Sequence, residues 1–248
     1  MQSSISSETK SIIAIIAVLT IIFSFNDGNP KFIANLWLKN FFYVLLLSSI
    51  SFLTLVLGYK LAARYYESKA TIRLAYIQRF WFSREAEIKK IEVAGKKVQR
   101  LYLGVFLAIF AMLVSAGKFF FTAFYTFDSS TSRLGHRWRN VTNFEEAIIS
   151  FSGLIASLIL LMLFKLSSID KGVTILTWLI LFNLLPLSNL PGGKIFFGSR
   201  VLYILTIILF AFILFLLPLI SLAITIPLSI IIALSIAYFY FRYIEYGK

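Results

Sequence analysis

The chain has 248 residues, of which 59% are hydrophobic and 17% aromatic, and its net charge is +13. Ordinary soluble domains are less apolar and carry more charge than the 14% of charged residues found here. With no cysteine and a single histidine, His136, the composition excludes disulfides, thiolate catalysis and a zinc site built on several His or Cys ligands. The sequence therefore predicts an all-α polytopic membrane protein that forms one integral domain over residues 1–248.

Apolar segments recur along the chain and predict about six to seven transmembrane helices in the cell membrane. The first, at residues 12–25, resembles a signal peptide, but no small-x-small cleavage site follows it, so we expect an uncleaved span. The next spans are expected at residues 41–58, 101–121, 147–164 and 173–187. Good helix formers follow the second span, so its helix should continue through residues 60–66.

The last apolar run, residues 201–241, is too long for one crossing. Its 41 residues would extend about 60 Å as a helix, twice the thickness of the bilayer core. We expect the chain to turn at Pro218, and we expect Pro227 to kink the helix that follows.

Residues 59–100 predict a basic, membrane-associated insert between the second and third spans. Residues 70–82 are rich in β-branched and aromatic side chains, and residues 88–103 have a turn signal at Gly95 between two alternating arms, which favours a β-hairpin. An amphipathic surface helix is the alternative. Residues 58–100 contain eleven Lys and Arg against four Glu, which predicts that this insert and the N-terminus are cytoplasmic. Because the basic residues are dispersed among membrane segments, nucleic acid is not an expected partner.

Residues 182–200, FNLLPLSNLPGGKIFFGSR, interrupt the apolar pattern with two prolines, two asparagines and two adjacent glycines. Such a break frees backbone groups that lipid cannot satisfy, so it is tolerated where it is buried against other helices or lines a cavity. A simple loop between the fifth and sixth spans is the alternative. Glu145 and Glu146 precede the fourth span, where negative charge stabilises a helix N-terminus.

Two segments carry a family resemblance, FLTLVLGYKLAARYYESKATIRL at residues 52–74 and NLLPLSNLPGG at residues 183–193. Together they resemble the site-2 protease family of intramembrane zinc metalloproteases, especially its archaeal-type branch. That family carries H-E-x-x-H on a membrane helix, then K-x-x-A-R-x-Y-G and a strand, and later N-x-x-P-x-x-x-x-D-G. The residues that fit these frames are Lys60, Ala63, Arg64, Tyr66, Asn183, Pro186 and Gly192. Residues 152–154 resemble the Gly-Pro-Leu of a later family span, whereas Glu67 replaces the glycine of the second motif.

The positions that hold the metal in this family are degenerate here. Leu55 and Tyr59 stand where the two histidines belong, Val56 replaces the general-base glutamate, and Pro191 replaces the ligand aspartate. Because Leu, Val and Pro can neither bind a metal nor move a proton, the resemblance implies a protease scaffold without its catalytic centre. We expect no catalytic residues, no cofactor and no zinc, and we expect Leu55 and Tyr59 to face residues 183–191.

The resemblance implies a non-catalytic membrane protein that binds a membrane helix or an extended peptide of a partner within the lipid bilayer, as a scaffold or regulator. Asn183, Pro186 and Gly192 are the candidate peptide-binding residues. Two alternatives stay open at this point. One is a small transporter or channel subunit whose path is lined by residues 183–193, and the other is an active intramembrane metalloprotease with unusual ligands.

Overall fold

The computed structural model describes residues 2–28, 33–75, 91–93, 96–98, 103–131, 141–187 and 190–245. The helices are α1 (Gln2–Ser24), α2 (Ala34–Tyr65), α3 (Leu103–Val114), α4 (Asn143–Leu166), α5 (Asp170–Asn183), α6 (Pro191–Gly198), α7 (Arg200–Leu216) and α8 (Leu222–Tyr240). A short π-helical segment, Phe241–Glu245, continues α8. The strands are β1 (Ser68–Leu74), β2 (Ile91–Val93), β3 (Lys96–Val98) and β4 (Tyr125–Thr131).

The described residues contain four helices that are long and apolar enough to cross a membrane. They are Ser7–Ser24, Ala34–Tyr65, Asn143–Leu166 and Leu222–Tyr243, and the shorter apolar helices are Leu103–Val114 and Arg200–Leu216. This composition and length fit a helical membrane protein. The count of six to seven spans stays a prediction.

Contacts divide the chain into two compact units, Met1–Leu45 with Ile72–Thr126, and Leu46–Thr71 with Phe127–Lys248. In the first unit α1 contacts α3, and the Phe23 ring lies 4.5 Å from that of Phe120. Gly104 in α3 packs directly against Phe124, where a Cβ would lie 2.9 Å from the Phe124 Cα. Apolar packing of this kind forms the core of the first unit.

In the second unit α4 packs against α5 and α6, and α7 packs against α6 and α8. The buried side chains of α8 are small and recur every four residues, which puts them on one face. They are Thr225, Ser229, Ala233 and Ala237. Small residues at a helix contact let two backbones approach closely, which is a common way of packing membrane helices.

Several predicted elements are confirmed within a few residues. The helix of α2 continues to Tyr65, and the chain turns between α7 and α8 at Pro218, with Pro227 inside α8. The hairpin predicted at residues 88–103 is present as β2 paired antiparallel with β3, with Ile91 opposite Val98. The strand predicted at residues 70–82 is present as β1 up to Leu74, and residues 76–90 lie outside the described residues.

The third span is shorter than its predicted range, residues 101–121. α3 ends at Val114 because the chain reverses in a Schellman motif, in which the Gly117 N–H donates to the Met112 carbonyl. Ala116 takes the left-handed conformation in this motif, with φ of 51°. The following segment leads into β4, which pairs with β1.

The break at residues 182–200 contains a helix, α6, whose first residues, Pro191, Gly192 and Gly193, are buried. Pro191 is the first residue of α6, where its fixed φ is favourable and its missing N–H costs nothing. The segment is therefore neither a plain loop nor a continuous span, since α5 ends at Asn183 and α7 begins at Arg200.

Candidate functional site

The α2 residues at the degenerate motif positions form part of a buried helix face. Leu55 and Tyr59 are each 1% exposed and Val56 is 4% exposed. The Tyr59 ring lies so close to α4 that a Cβ on Gly153 would be 2.0 Å from the ring Cε1 atom. Gly58 makes the same contact from the α2 side, where a Cβ would lie 2.7 Å from the Gly153 Cα. The two glycines therefore permit a backbone-to-backbone crossing of α2 and α4.

On another side the Tyr59 ring stacks on Phe127. Their ring centroids are 4.6 Å apart and the planes are tilted by 24°. Phe127 belongs to β4, and β4 is held to β1 by strand pairing and by the Thr71 hydroxyl, which donates to the Asp128 carbonyl. The space around the second degenerate motif position is therefore filled by an aromatic pair, Tyr59 and Phe127, which are 1% exposed each.

A charged residue of α6 reaches the same aromatic pair. The Lys194 ammonium lies 3.8 Å from the centroid of the Phe127 ring and donates to the Phe127 backbone carbonyl. It also forms an ion pair with Glu146 of α4, at 3.7 Å. The Ser129 hydroxyl donates to the same Glu146 carboxylate. We call Tyr59, Phe127, Ser129, Glu146 and Lys194 the Tyr59–Lys194 cluster.

This cluster balances its own charge. Its cation, Lys194, meets a carboxylate, a carbonyl and the negative face of an aromatic ring, three kinds of partner that favour the charged ammonium. The Lys194 and Glu146 side chains are 12% and 28% exposed, so their interaction is less screened than that of a surface ion pair. The arrangement joins α4, α6 and β4 and stabilises their packing.

Polar groups released by the break after α5 are satisfied locally. The Asn183 side-chain amide donates to the Leu179 carbonyl at 2.8 Å, within its own helix. The Leu184 carbonyl accepts from the Tyr203 hydroxyl of α7 at 3.2 Å. Gly192 lies against the same turn, where a Cβ would be 2.5 Å from the Leu184 oxygen. These pairings, among the described residues of the break, help it to be tolerated in an apolar setting.

The peptide-binding candidates fall into two groups. Asn183 is 2% exposed and Gly192 is buried, whereas Pro186 lies exposed between the exposed side chains of Leu185 and Leu187. Pro191 is buried at the start of α6. The expected contact of Leu55 and Tyr59 with residues 183–191 stays a prediction, as do the roles of these residues.

Sequence reasoning missed Phe127, Ser129 and Lys194 as parts of the site. Lys194 offered a signal, because an ionisable residue directly after the Gly-Gly pair is unusual in an apolar segment. The helix-terminus role of the two glutamates is confirmed for Glu145, whose carboxylate accepts from the Thr142 N–H while the Thr142 hydroxyl accepts from the Glu145 N–H. Glu146 has the additional role of pairing with Lys194, which was not predicted.

The residue that replaces the family glycine has a notable backbone conformation. Glu67 follows α2 with φ of 51°, in the left-handed region that glycine adopts without a steric cost. Its N–H donates to the Arg64 carbonyl and closes the turn into β1. The turn therefore has the geometry for which a glycine is the usual choice.

Among the described residues, no three His, Cys, Asp or Glu side chains are grouped so that they could hold a metal ion. His136 lies outside those residues, and the expectation that the protein carries no zinc stays a prediction. The chain matches no family model, no curated protein and no solved structure, so the site-2 protease relationship stays a resemblance of motifs.

Proposed function

We propose that this protein is a non-catalytic membrane protein that binds a membrane helix or an extended peptide of a partner membrane protein, as a scaffold or regulator. The observation that carries the proposal is the packing of Tyr59 between Gly153 and Phe127. A catalytic zinc needs three protein ligands, an open position for water and polar groups that orient the ligands. Packed aromatic and aliphatic side chains occupy the corresponding positions here.

The turn between α5 and α6 supports the binding role. Leu185 and Leu187 are 39% and 55% exposed, and Pro186 lies exposed between them. Two hydrogen bonds fix the turn. The Tyr203 hydroxyl donates to the Leu184 carbonyl, and the Leu187 N–H donates to the Leu185 carbonyl. A rigid apolar projection loses little conformational entropy when a partner packs against it. We call residues 185–187 the exposed turn.

The test is site-specific photocrosslinking in native membranes. A benzoylphenylalanine at Leu187 should capture one defined partner, and the same probe at Leu166, which is 71% exposed at the end of α4, should not. Pro186→Leu should abolish the Leu187 crosslink because it changes the shape of the turn. Equal capture from both positions would contradict partner binding at the exposed turn.

Catalysis is tested on the captured partner. The purified protein should leave the partner intact and should carry no stoichiometric zinc by elemental analysis. Val56→Glu should still leave it intact, because one carboxylate without metal ligands cannot activate water. Cleavage by the unmodified protein, or about one zinc per chain, would refute the non-catalytic proposal.

The proposal includes a topology of six to seven crossings in the cell membrane with a cytoplasmic N-terminus. The basic insert at residues 59–100 supports this orientation. Because the chain has no cysteine, Ser7→Cys gives a single label site. An impermeant maleimide should react with it in inverted vesicles and not in intact cells, and the opposite result would reverse the topology.

A further inference from the structure

The charges along α2 indicate where this helix leaves a bilayer. The nineteen residues 41–59 carry no charge and span about 28 Å at 1.5 Å per residue. That length matches the hydrocarbon core of a bilayer, which is about 30 Å thick. Lys39 lies before this uncharged run and Lys60 directly after it. We therefore expect Arg64, one turn beyond Lys60, at the depth of the lipid headgroups.

A tight turn keeps the start of β1 beside this end of α2. The Glu67 N–H donates to the Arg64 carbonyl at 3.0 Å. The Ser68 hydroxyl donates to the Ala63 carbonyl, also at 3.0 Å, which holds Ser68 against the last turn of the helix. The alternation of β1 buries Ser68 and exposes the next residue, Lys69. Arg64 and Lys69 are therefore both exposed at the same end of α2.

Basic residues outnumber acidic ones in this segment. Residues 60–69 include Lys60, Arg64 and Lys69 against one acid, Glu67, which is itself exposed. A cation in the last turn of a helix also stabilises the helix dipole. That role accounts for Arg64 but not for Lys69, because Lys69 belongs to a strand. An exposed lysine beside the end of a membrane span gains free energy from an anionic lipid surface.

Two tyrosines lie in the same turn. Tyr65 is 83% exposed, and its ring meets that of Tyr66 edge-to-face, with centroids 5.1 Å apart. Tyrosine is enriched at the membrane–water interface, where its ring contacts apolar groups and its hydroxyl contacts water. Arginine and lysine both bind phosphate, and the planar guanidinium of arginine matches two phosphate oxygens at once. Exposed tyrosine beside exposed cations therefore suits the headgroup layer.

We propose that Arg64, Tyr65 and Lys69 form a docking surface for the headgroup phosphates of anionic glycerophospholipids. The occupant is the lipid layer itself, because the length of the uncharged run puts these side chains at headgroup depth and because the segment is positively charged. A zwitterionic lipid offers the same phosphate, but its own cation offsets the attraction to Arg64 and Lys69. The proposal rests on α2 crossing the membrane, and it is independent of partner binding at the exposed turn.

The test measures which lipids lie next to the end of α2. Because the chain has no cysteine, Leu61→Cys gives a single site for a bimane label, on an exposed side chain one turn before Tyr65. The full-length protein is reconstituted in vesicles that mix phosphatidylglycerol and phosphatidylcholine in one fixed ratio. A nitroxide on the acyl chain, which quenches bimane, is carried by the phosphatidylglycerol in one sample and by the phosphatidylcholine in the other. The ratio of the two quenching values gives the enrichment of anionic lipid beside Leu61.

Phosphatidylglycerol should be enriched at this label relative to its share of the vesicle. One basic residue near a membrane surface contributes about 1 kcal/mol, which is about fivefold in affinity. Lys69→Gln should therefore lower the enrichment by up to about fivefold, Lys69→Arg should retain it, and added salt should weaken it. The matched control is Lys39→Gln, which removes the same charge from an exposed lysine near the other end of α2 and should leave the enrichment unchanged.

Three outcomes would overturn the proposal. The first is quenching by each lipid in proportion to its share of the vesicle, and the second is an equal loss in Lys69→Gln and Lys39→Gln. The third is no quenching by either lipid, which would mean that protein covers this surface or that α2 does not cross the membrane here. If a label at Leu61 impairs folding, Leu57→Cys repeats the measurement one turn deeper, on a side chain that is 57% exposed. The crosslink from Leu187 does not depend on these results, so the two proposals fail separately.

Discussion

Gly153→Ala should disrupt the crossing of α2 and α4 more than its single added methyl group suggests. The new Cβ would lie 2.0 Å from the Tyr59 Cε1 atom, and carbon atoms in good contact are about 3.5–4.0 Å apart. The ring cannot simply move away, because it is stacked on Phe127 at 4.6 Å. The helices must therefore separate or the aromatic pair must come apart.

The expected cost follows from this geometry. Overpacking a buried site costs about 1–3 kcal/mol. The upper part of that range applies because the Tyr59 ring, which meets the new methyl group, is itself held against Phe127. Thermal unfolding in detergent should show a melting temperature several degrees lower. Tyr59→Leu should restore part of the loss in the Gly153→Ala background, since it removes the ring that clashes, and this rescue gives a coupling energy.

The matched control is Ser152→Ala, which changes the adjacent α4 residue and removes only a hydrogen bond from the Ser152 hydroxyl to the Ile148 carbonyl. It should shift the melting temperature little. If Gly153→Ala melts like the unmodified protein, or if Tyr59→Leu gives no rescue, the close crossing described here is wrong.

Three further predictions use the same unfolding assay. Glu67→Gly should raise the free energy of unfolding by up to about 1 kcal/mol. Glycine removes the steric cost of the left-handed conformation, but part of this gain is offset because glycine also has more conformational freedom in the unfolded chain. Glu67→Ala keeps the Cβ and should give no gain. Lys194→Met should lower the free energy of unfolding by about 1–3 kcal/mol, because it leaves the Glu146 carboxylate without its ammonium partner. Adding Glu146→Gln to this variant should recover part of the lost stability, whereas additive losses from the two substitutions would contradict the ion pair. Gly192→Ala should lower the melting temperature because its methyl group would lie 2.5 Å from the Leu184 oxygen; an unchanged value would contradict that contact.

The features that sequence reasoning predicted well have local signals. Helix propensity predicts the end of α2, alternation predicts the β2–β3 hairpin, and a proline predicts the turn at Pro218. Each of these signals lies within a few residues of the feature. The early end of α3 depends on Ala116 in a left-handed conformation, which no residue preference suggests. β4 begins with Tyr125, Thr126 and Phe127, residue types that favour strands, but its partner β1 lies more than fifty residues earlier in the chain.

The candidate site illustrates the same limit. Motif frames identified Tyr59 and the break after α5, because they concern residues close together in the chain. The cluster around Tyr59 depends on contacts that the sequence alone does not specify, such as that of Lys194 with the Phe127 carbonyl, 67 positions away. Such contacts arise when separate elements pack together, so only the structure reveals that Lys194 and Glu146 share one site.

The lengths of the helices have a consequence for the surrounding membrane. α3 has 12 residues and α7 has 17, which correspond to about 18 Å and 26 Å at 1.5 Å per residue. The hydrocarbon core of a bilayer is about 30 Å thick. Where either helix borders lipid, the acyl chains must shorten or tilt so that the polar ends of the helix stay in contact with water. The free-energy cost of this deformation rises with each ångström of mismatch. The bilayer beside these two helices should therefore form a thinned zone. Two molecules that share one such zone deform less lipid than two that lie apart, so mismatch alone would draw copies together and concentrate them in thinner membranes.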